Sequence, residues 1–528
     1  MQERFFLTIL NGRPRLLVYA RKGREQLTAE ISEASPKHRD IPSKLFKESA
    51  YHTVDWISDY LEHVGRYRVL PQTKPGDIRS RLPKSPPENP ESLDLVTSDF
   101  EKIVLPGITH WNHPRFFAYF AITGSYAGII GEMLSSALNV NAMLWRASPA
   151  ATELEETVLD WLRQMVGLPE QFEGVINDTA SVSSLNAIAA AREAASLHIR
   201  EKGMAGRNEL PRLKIYTSEE AHSSIEKAAI VLGFGQDGIQ KIPTDDSYRM
   251  DARVLEKTIR QDLDSGVKPI CVIPTIGTTS TTSVDPVAEI AEICRDHGIW
   301  MHVDAAYAGS AALLPEMRTL FAGWEKADSI VTNPHKWLFT QLDCSVLYCR
   351  RPEVLKQAFS LVPEYLRTIE EGHIKNFMDY GISLGRRFRA LKLWMIIRSL
   401  GREGIANAVS DHIAYARRLA DMIRADGNFQ LLAPVPFSTL VFQFRPNAFS
   451  RSDGTWSEPE INSLNERLLD SVNQTGRAFL SHTKLRGKFG IRMAIGNLKT
   501  NWEDVSETWE LIQKEAAALQ SAKPSPQG

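Results

Sequence analysis

Between about residues 172 and 350 the chain alternates short apolar, partly β-branched runs with stretches of helical period, an alternation that few architectures accept. The runs at 213–217, 270–274, 299–303 and 329–332 are too short for helices. They are also too uniformly apolar for strands with one wet face, so they predict buried parallel strands. The stretches between them, such as 287–297, predict crossover helices. Together these give a doubly wound, mostly parallel α/β sheet. With 528 residues, 43% of them hydrophobic and 24% charged, the chain has material for that domain and for smaller ones beside it.

The flanking segments read differently. The apolar run 5–10 is too short for a signal-peptide core and is followed by Arg13, Arg15, Arg21 and Lys22, so residues 1–42 are expected to form an extension outside the fold. From Leu45 the period turns helical, with Phe46, Ala50, Val54, Ile57 and Leu61 three or four residues apart. A polar, proline-rich linker at 82–90 follows, then an aromatic-dense stretch at 111–120. An apolar helix is predicted at 126–138, which needs a partner surface. Another is predicted at 152–166, with Thr152 and Glu155 at capping-box spacing. After residue 400, a helix at 405–425, strands at 439–444 and 489–495 and a closing helix from Trp502 predict a small α+β domain. The expected division is therefore a helical N-terminal segment at 43–150, a large α/β domain at 151–400, the small domain at 401–515 and a polar tail at 516–528.

Charge narrows the function classes. Lys and Arg number 62 against 64 Asp and Glu, a balance that points to neither nucleic acid nor an anionic membrane as partner. No stretch is apolar for long enough to span a bilayer. Cys271, Cys294, Cys344 and Cys349 show no C-x-x-C spacing, which predicts free thiols in a reducing, cytoplasmic setting and no metal site.

Chemistry-bearing residues gather where α/β sheets place their sites, past the carboxyl ends of strands. Asp304 follows the run 299–303, and Lys336 follows 329–332 through Asn333, Pro334 and His335. The two share one crevice, either as a catalytic pair or as a buried salt bridge. Thr179, Ala180 and Ser181 follow the apolar 174–176 and open a helix at about 183–195, a place for an anion or for ordinary capping. His222, in the loop after 213–217, is functional or simply solvated. Thr275, Ile276, Gly277, Thr278 and Thr279 end a further strand at the same edge.

The segment His302-Val303-Asp304-Ala305-Ala306-Tyr307-Ala308-Gly309, with Asn333-Pro334-His335-Lys336-Trp337, closely resembles the group II pyridoxal-5'-phosphate (PLP) decarboxylases, aromatic L-amino-acid decarboxylase in particular. The resemblance runs from about 43 to 515 and includes Thr109-His110-Trp111, Phe116 to Phe120, Ser148-Pro149-Ala150, Ala221 to Ser224 and Leu384 to Arg389. It implies the PLP-dependent transferase fold of the aspartate-aminotransferase type, a homodimer, and decarboxylation of an aromatic L-amino acid to its amine and CO2. It gives Lys336 the Schiff base with the cofactor, a task for an amine able to lose its proton in a desolvated site. It gives Asp304 the pairing with the pyridine N–H⁺, which lets the ring accept electrons. By the same resemblance His222 stacks on one ring face and Ala306 packs on the other. Thr179, Ala180, Ser181 and Asn333 hold the phosphate, and His335 and Thr275 complete the surroundings. Tyr365 is the proton donor to Cα, and Trp111, Phe120, Ile122, Asn141, Met143 and His222 face the substrate.

Three departures from the family pattern stand out. Asp178 precedes the phosphate loop where a small residue is common, so its carboxylate must turn away or pair elsewhere. Ile122 stands where dopa-acting animal members carry threonine, and Asn141 and Met143 replace apolar and aromatic residues of the substrate cavity. Among alternatives, an aldehyde synthase on the same scaffold loses the loop tyrosine or the stacking histidine, and both are present here as Tyr365 and His222. A glutamate decarboxylase needs a cationic anchor for its substrate, whereas Trp111, Phe116, Phe117 and Phe120 predict an aromatic pocket. A non-catalytic PLP-binding protein is disfavoured because no expected site residue is missing.

Overall fold

The computed structural model describes residues 7–10, 13–16, 40–361, 374–446 and 456–521. Its chain divides into two compact units, one made of residues 1–66 with 71–109 and one of 67–70 with 110–528. The first holds an antiparallel hairpin of β1 (Leu7–Leu10) and β2 (Arg13–Leu16), followed by the helix α1 (Ser43–His63). Within α1 the ring of Trp56 stacks on Tyr60 at 5.2 Å and meets the edge of Phe100 at 5.3 Å.

The second unit carries the predicted sheet. In chain order come α2 (Tyr126–Leu138), α3 (Pro149–Val166), β3 (Glu173–Asn177), α4 (Ala180–Ala194), β4 (Leu213–Ser218), β5 (Ile239–Ile242) and β6 (Lys268–Ile273). They are followed by α5 (Val287–His297), β7 (Trp300–Asp304), β8 (Ser329–Thr332), the one-turn α6 (Pro334–Trp337), β9 (Ser345–Cys349) and α7 (Arg389–Ala425). The seven strands lie in the order β3-β9-β8-β7-β6-β4-β5. All neighbours are parallel except β9, which runs against both β3 and β8. The apolar runs are explained by burial on both faces: Ile215, Val272, Val303 and Ile330 are fully buried.

Two local expectations are corrected. The capping box at Thr152 and Glu155 does not form. Helix α3 begins earlier, with Ser148 as the cap accepting the Ala151 N–H at 3.4 Å and Pro149 in the first turn, where its missing N–H is harmless. Glu155 instead points into the core and accepts the Ile176 N–H at 3.0 Å and Arg386 Nη2 at 2.5 Å. The helix expected at 405–425 is the second half of α7, which starts at Arg389 and breaks at Gly401, whose φ of 66° only glycine adopts at little cost.

The remaining strands, β10 (Phe429–Leu431), β11 (Thr439–Phe444), β12 (Ser481–Leu485) and β13 (Lys488–Ala494), form an antiparallel sheet in the order β10-β11-β13-β12. Helices α8 (Glu458–Gln474) and α9 (Trp502–Ser521) accompany it, and Phe429, Phe442 and Trp509 pack into a shared core. All four cysteines are buried free thiols. Among the described residues no helix is long and apolar enough to cross a membrane, and no group of three or more His, Cys, Asp and Glu side chains could hold a metal.

Candidate active site

The site is built at the carboxyl edge of the seven-stranded sheet. Asp304 is the last residue of β7; its side chain is almost wholly buried and accepts the Ala306 N–H at 3.0 Å. The neighbouring loop is locked to it, because Ile276 donates to the Asp304 carbonyl at 2.9 Å and Asp304 to the Pro274 carbonyl at 3.0 Å. On the other side Asn333 donates to the Ala306 carbonyl at 3.0 Å and opens α6, which carries Lys336. Three strand ends are thus stitched backbone to backbone around the expected site.

Lys336 sits with Nζ 5.2 Å from the centre of the Phe120 ring. Burial pulls its ammonium below the ordinary lysine value; the Asp304 carboxylate opposes this and the Arg492 guanidinium adds to it. A lysine so placed loses its proton more readily than one in water, as a nucleophilic amine requires. His222, exposed on its loop, lies within the field of both Asp304 and Lys336, and partial desolvation, the largest influence, lowers its pKa. Its Nδ1 accepts the Ser224 N–H at 3.2 Å and lies 2.7 Å from the Ser224 hydroxyl, which fixes the ring.

The N-terminus of α4 is braced from below. Ser183 bridges Asn177 at 3.1 Å and Ser345 at 2.9 Å, and the buried ring of His302 lies between Ser184 at 3.2 Å and Ser329 at 3.0 Å. Burial pushes His302 down to about 4, so it stays neutral as a structural tie. Ala180 and Ser181 occupy the first turn, whose N–H groups precede the intrahelical ladder and face an anion. Asp178 turns back on its own loop, taking the Thr179 N–H at 2.5 Å and the Thr179 hydroxyl at 3.2 Å. The carboxylate thus pairs not elsewhere but within the loop itself, and it occupies the polar groups of Thr179, which were expected to hold the phosphate.

The other expected site residues divide. Thr275 and Asn333 are buried, and among the described residues both Thr275 Oγ1 and Asn333 Oδ1 lack a hydrogen-bond partner. His335 is buried and accepts the Cys344 N–H at 2.9 Å through Nδ1, with its pKa pushed down to about 3, chiefly by burial. Phe120 lies beside Lys336, whereas Trp111 stacks on Phe116 at 4.3 Å and on Tyr119 at 5.8 Å. Phe116 and Phe117 are fully buried in two separate packing clusters. Asn141 and Met143 are engaged with each other and with the chain around residues 378–386. Asn141 accepts the Arg386 N–H at 2.9 Å and approaches Met143 Sδ at 3.2 Å, while the Met143 carbonyl accepts from Met378 at 2.9 Å. Ile122 is half-buried. Tyr365 lies outside the described residues.

One further charged group at the site was not anticipated. Arg492, on β13, is buried with its Cζ 4.6 Å from the Phe120 ring centre, and burial pushes its pKa down to about 10. Nε and Nη1 are held by the carbonyls of Thr279, Ser280 and Tyr119, while Nη2 has no hydrogen-bond partner among the described residues. An arginine inside the otherwise apolar stretch 489–495 is the signal that could have found it, since a buried strand carries a charge only when something needs it.

The donor set fits PLP. A desolvated lysine suits an aldehyde, a buried carboxylate a cationic ring nitrogen and a helix N-terminus a phosphate, while the orphaned Thr275 hydroxyl can donate to a further acceptor on the cofactor. Comparison with known proteins agrees, because the pyridoxal-dependent decarboxylase conserved domain matches residues 75–445. The chain belongs to this decarboxylase family. Within it, tyrosine decarboxylase 1 of Narcissus pseudonarcissus is 38% identical over 484 residues, covering 90% of this chain and 93% of that one. Phenylacetaldehyde synthase of Arabidopsis thaliana is 39% identical over 491 residues, covering 91% and 98%. The crystal structure of Oryza sativa TDC with PLP and tryptamine superposes with a TM-score of 0.87 at 36% identity, over 92% of this chain and all of that one. The decarboxylase is thus a PLP-dependent carboxy-lyase of the aromatic amino acid group, with the aminotransferase-like fold that the family resemblance implies.

Proposed function

We propose that this decarboxylase converts an aromatic L-amino acid to the amine and CO2, without the oxidative step of an aldehyde synthase. The observation that carries the reading is the convergence of Lys336, Asp304 and His222 within one another's fields, with Lys336 and Arg492 both at the Phe120 ring and Arg492 Nη2 unpaired among the described residues.

PLP, when bound, supplies an acceptor for the electron pair left at Cα as the carboxylate departs. Lys336 would hold the cofactor covalently through its deprotonated amine, and Asp304 would keep the ring nitrogen protonated. Ala180 and Ser181 at the α4 N-terminus, with Asn333 and Thr275, receive the cofactor's polar groups. His222 packs on the ring face and Phe120 lines the substrate side. Arg492 Nη2 offers a charge-assisted hydrogen bond to the substrate carboxylate, which orients it for loss. Tyr365 would deliver the proton to Cα, and that protonation would direct the reaction to the amine rather than the aldehyde.

Relatives of both outcomes lie at similar identity, so the choice rests on residues. Tyr365 and His222 are both retained, which supports the amine. Ile122 offers no hydrogen bond to a catechol hydroxyl, and an unpaired buried hydroxyl costs about 1–3 kcal/mol. The order of preference is therefore phenylalanine and tryptophan first, tyrosine next and dopa last. The exposed stripe Tyr126, Ile130, Met133, Leu134 and Leu138 along α2 supports a homodimer, since monomers rarely leave such a face in water. Amine, CO2 and O2 measured together on the four amino acids test the reading. Amine and CO2 in equal amounts with no O2 uptake support it; aldehyde and peroxide, or a dopa preference, contradict it.

A further inference from the structure

Three flat rings form one column, and a fourth, His412, lies edge-on to the last of them and nearly in its plane. Phe120 stacks on Tyr307 at 3.8 Å and 17°, Tyr307 on Trp337 at 4.7 Å and 4°, and Trp337 lies within 12° of the His412 plane at 6.4 Å. Each ring comes from a different segment. Phe120 belongs to the loop before α2, Tyr307 follows Asp304 by three positions, Trp337 is next to Lys336, and His412 lies on α7. The column closes on itself, running from the Lys336 backbone through Trp337 and Tyr307 to Phe120, the ring beside Lys336 Nζ. Its spacing therefore sets the register of the Lys336 turn against the Asp304 loop.

Two polar pins hold the column. Tyr307 and Ser438 share a hydroxyl bond at 2.5 Å. At the far end Trp337 Nε1 donates to His412 Nδ1 at 3.0 Å, and His412 Nε2 lies 3.0 Å from the Asn497 carbonyl. Indole only donates, so Nδ1 is the acceptor and Nε2 carries the proton. Asn497 in turn holds the carbonyls of Trp111 and His113 at 3.2 and 2.8 Å. Trp337 is wholly buried and His412 nearly so, and burial pushes His412 down to about 4, which keeps the acceptor nitrogen unprotonated at neutral pH.

We propose that His412 is a positioning residue for the cofactor lysine: by accepting the Trp337 N–H it fixes the ring column and hence where Lys336 stands relative to Asp304. The proposal rests on the assignment of Lys336 as that lysine. No part of His412 reaches the reacting atoms; it acts through Trp337.

The test compares His412→Phe, which keeps a flat ring and removes both nitrogens, with His412→Gln, whose amide can accept from Trp337 and donate to Asn497. For each apoenzyme the Kd of PLP is measured by equilibrium dialysis, and for each holoenzyme the pH midpoint of the bound cofactor's visible absorbance. His412→Phe is expected to weaken PLP binding about tenfold, the scale of one buried hydrogen bond left unmade, and to move the midpoint. His412→Gln is expected to restore both. Wild-type values in His412→Phe overturn the proposal, as does equal impairment of the two variants. If His412→Phe does not fold, Tyr307→Phe removes the other pin while keeping its ring, and is expected to shift both readouts the same way; wild-type values there overturn the proposal. Borohydride reduction of the wild-type holoenzyme separates the two layers. An adduct on a different lysine overturns the underlying assignment, whereas an adduct on Lys336 with unchanged variant values overturns the role of His412 alone.

Discussion

Glu155 and Arg386 form a buried ion pair whose side chains are 1% and 5% exposed. Glu155 accepts from Arg386 Nη2 at 2.5 Å and from the Ile176 N–H of β3 at 3.0 Å. Arg386 also donates to the carbonyls of Ala142 at 3.1 Å and Ile176 at 2.8 Å and lies over the Phe377 ring at 4.7 Å. The pair thus ties α3 to β3, three residues before the phosphate loop. Glu155→Gln keeps the shape and removes the charge, leaving a buried guanidinium with only neutral acceptors and an amide N–H group pressed against it. Breaking a buried pair from one side costs about 3–5 kcal/mol. Glu155→Gln with Arg386→Met removes the second charge as well and should cost less than Glu155→Gln alone, with a coupling of about 2 kcal/mol or more. Urea unfolding of the apoenzyme, followed by far-UV circular dichroism and by tryptophan fluorescence, measures this through the midpoint of the main transition. A loss below about 1 kcal/mol in Glu155→Gln, the worth of an exposed pair, would refute the reasoning. So would strict additivity in the double variant.

Two further outcomes follow from buried polar groups. Thr275→Val replaces an orphaned hydroxyl by a methyl of similar shape, so the apoenzyme should unfold at the wild-type temperature or above while PLP binds about tenfold more weakly; a less stable apoenzyme with unchanged PLP affinity would contradict this. Acid should destabilise the fold through His302, His335 and His412, whose pKa values burial pushes down to about 4, 3 and 4. An unfolded chain takes these protons near about pH 6.5, so their contribution is complete above that value and is lost as pH falls towards 4 and then 3. At about 1.4 kcal/mol per pKa unit, each histidine accounts for roughly 3 kcal/mol or more. Asp285, pushed up to about 7 by burial, works the other way and is relieved as pH falls, which softens the slope above pH 4. Unfolding midpoints measured from pH 7 to 4 check the net loss, and a flat profile would contradict it.

Elements with strong local patterning were legible from the chain alone. The strand at 329–332, the helices at 126–138 and 287–297 and the start of the last helix at Trp502 are found where the period and apolar runs place them. Burial on both faces is what makes such strands readable without alternation. The cap of α3 was misread because Thr152 and Glu155 satisfy a local rule, whereas the actual cap is Ser148, four positions earlier and followed by Pro149, and because Glu155 answers to Arg386, distant in sequence. Asp304, Lys336 and His222 were legible as strand-end residues. Arg492, Tyr307 and His412 were not, since their importance lies in stacking and burial between segments far apart in the chain. Asn141 shows the converse: read as a substrate contact, it spends its side-chain oxygen on the Arg386 backbone.

The central claim is that Lys336 carries the cofactor, and reduction of the purified holoenzyme with borohydride followed by peptide mapping tests it most directly. The account predicts one pyridoxyl adduct, on the peptide containing Asn333, His335 and Lys336, and none in Lys336→Ala. An adduct on any other lysine, or undiminished labelling of Lys336→Ala, would contradict it.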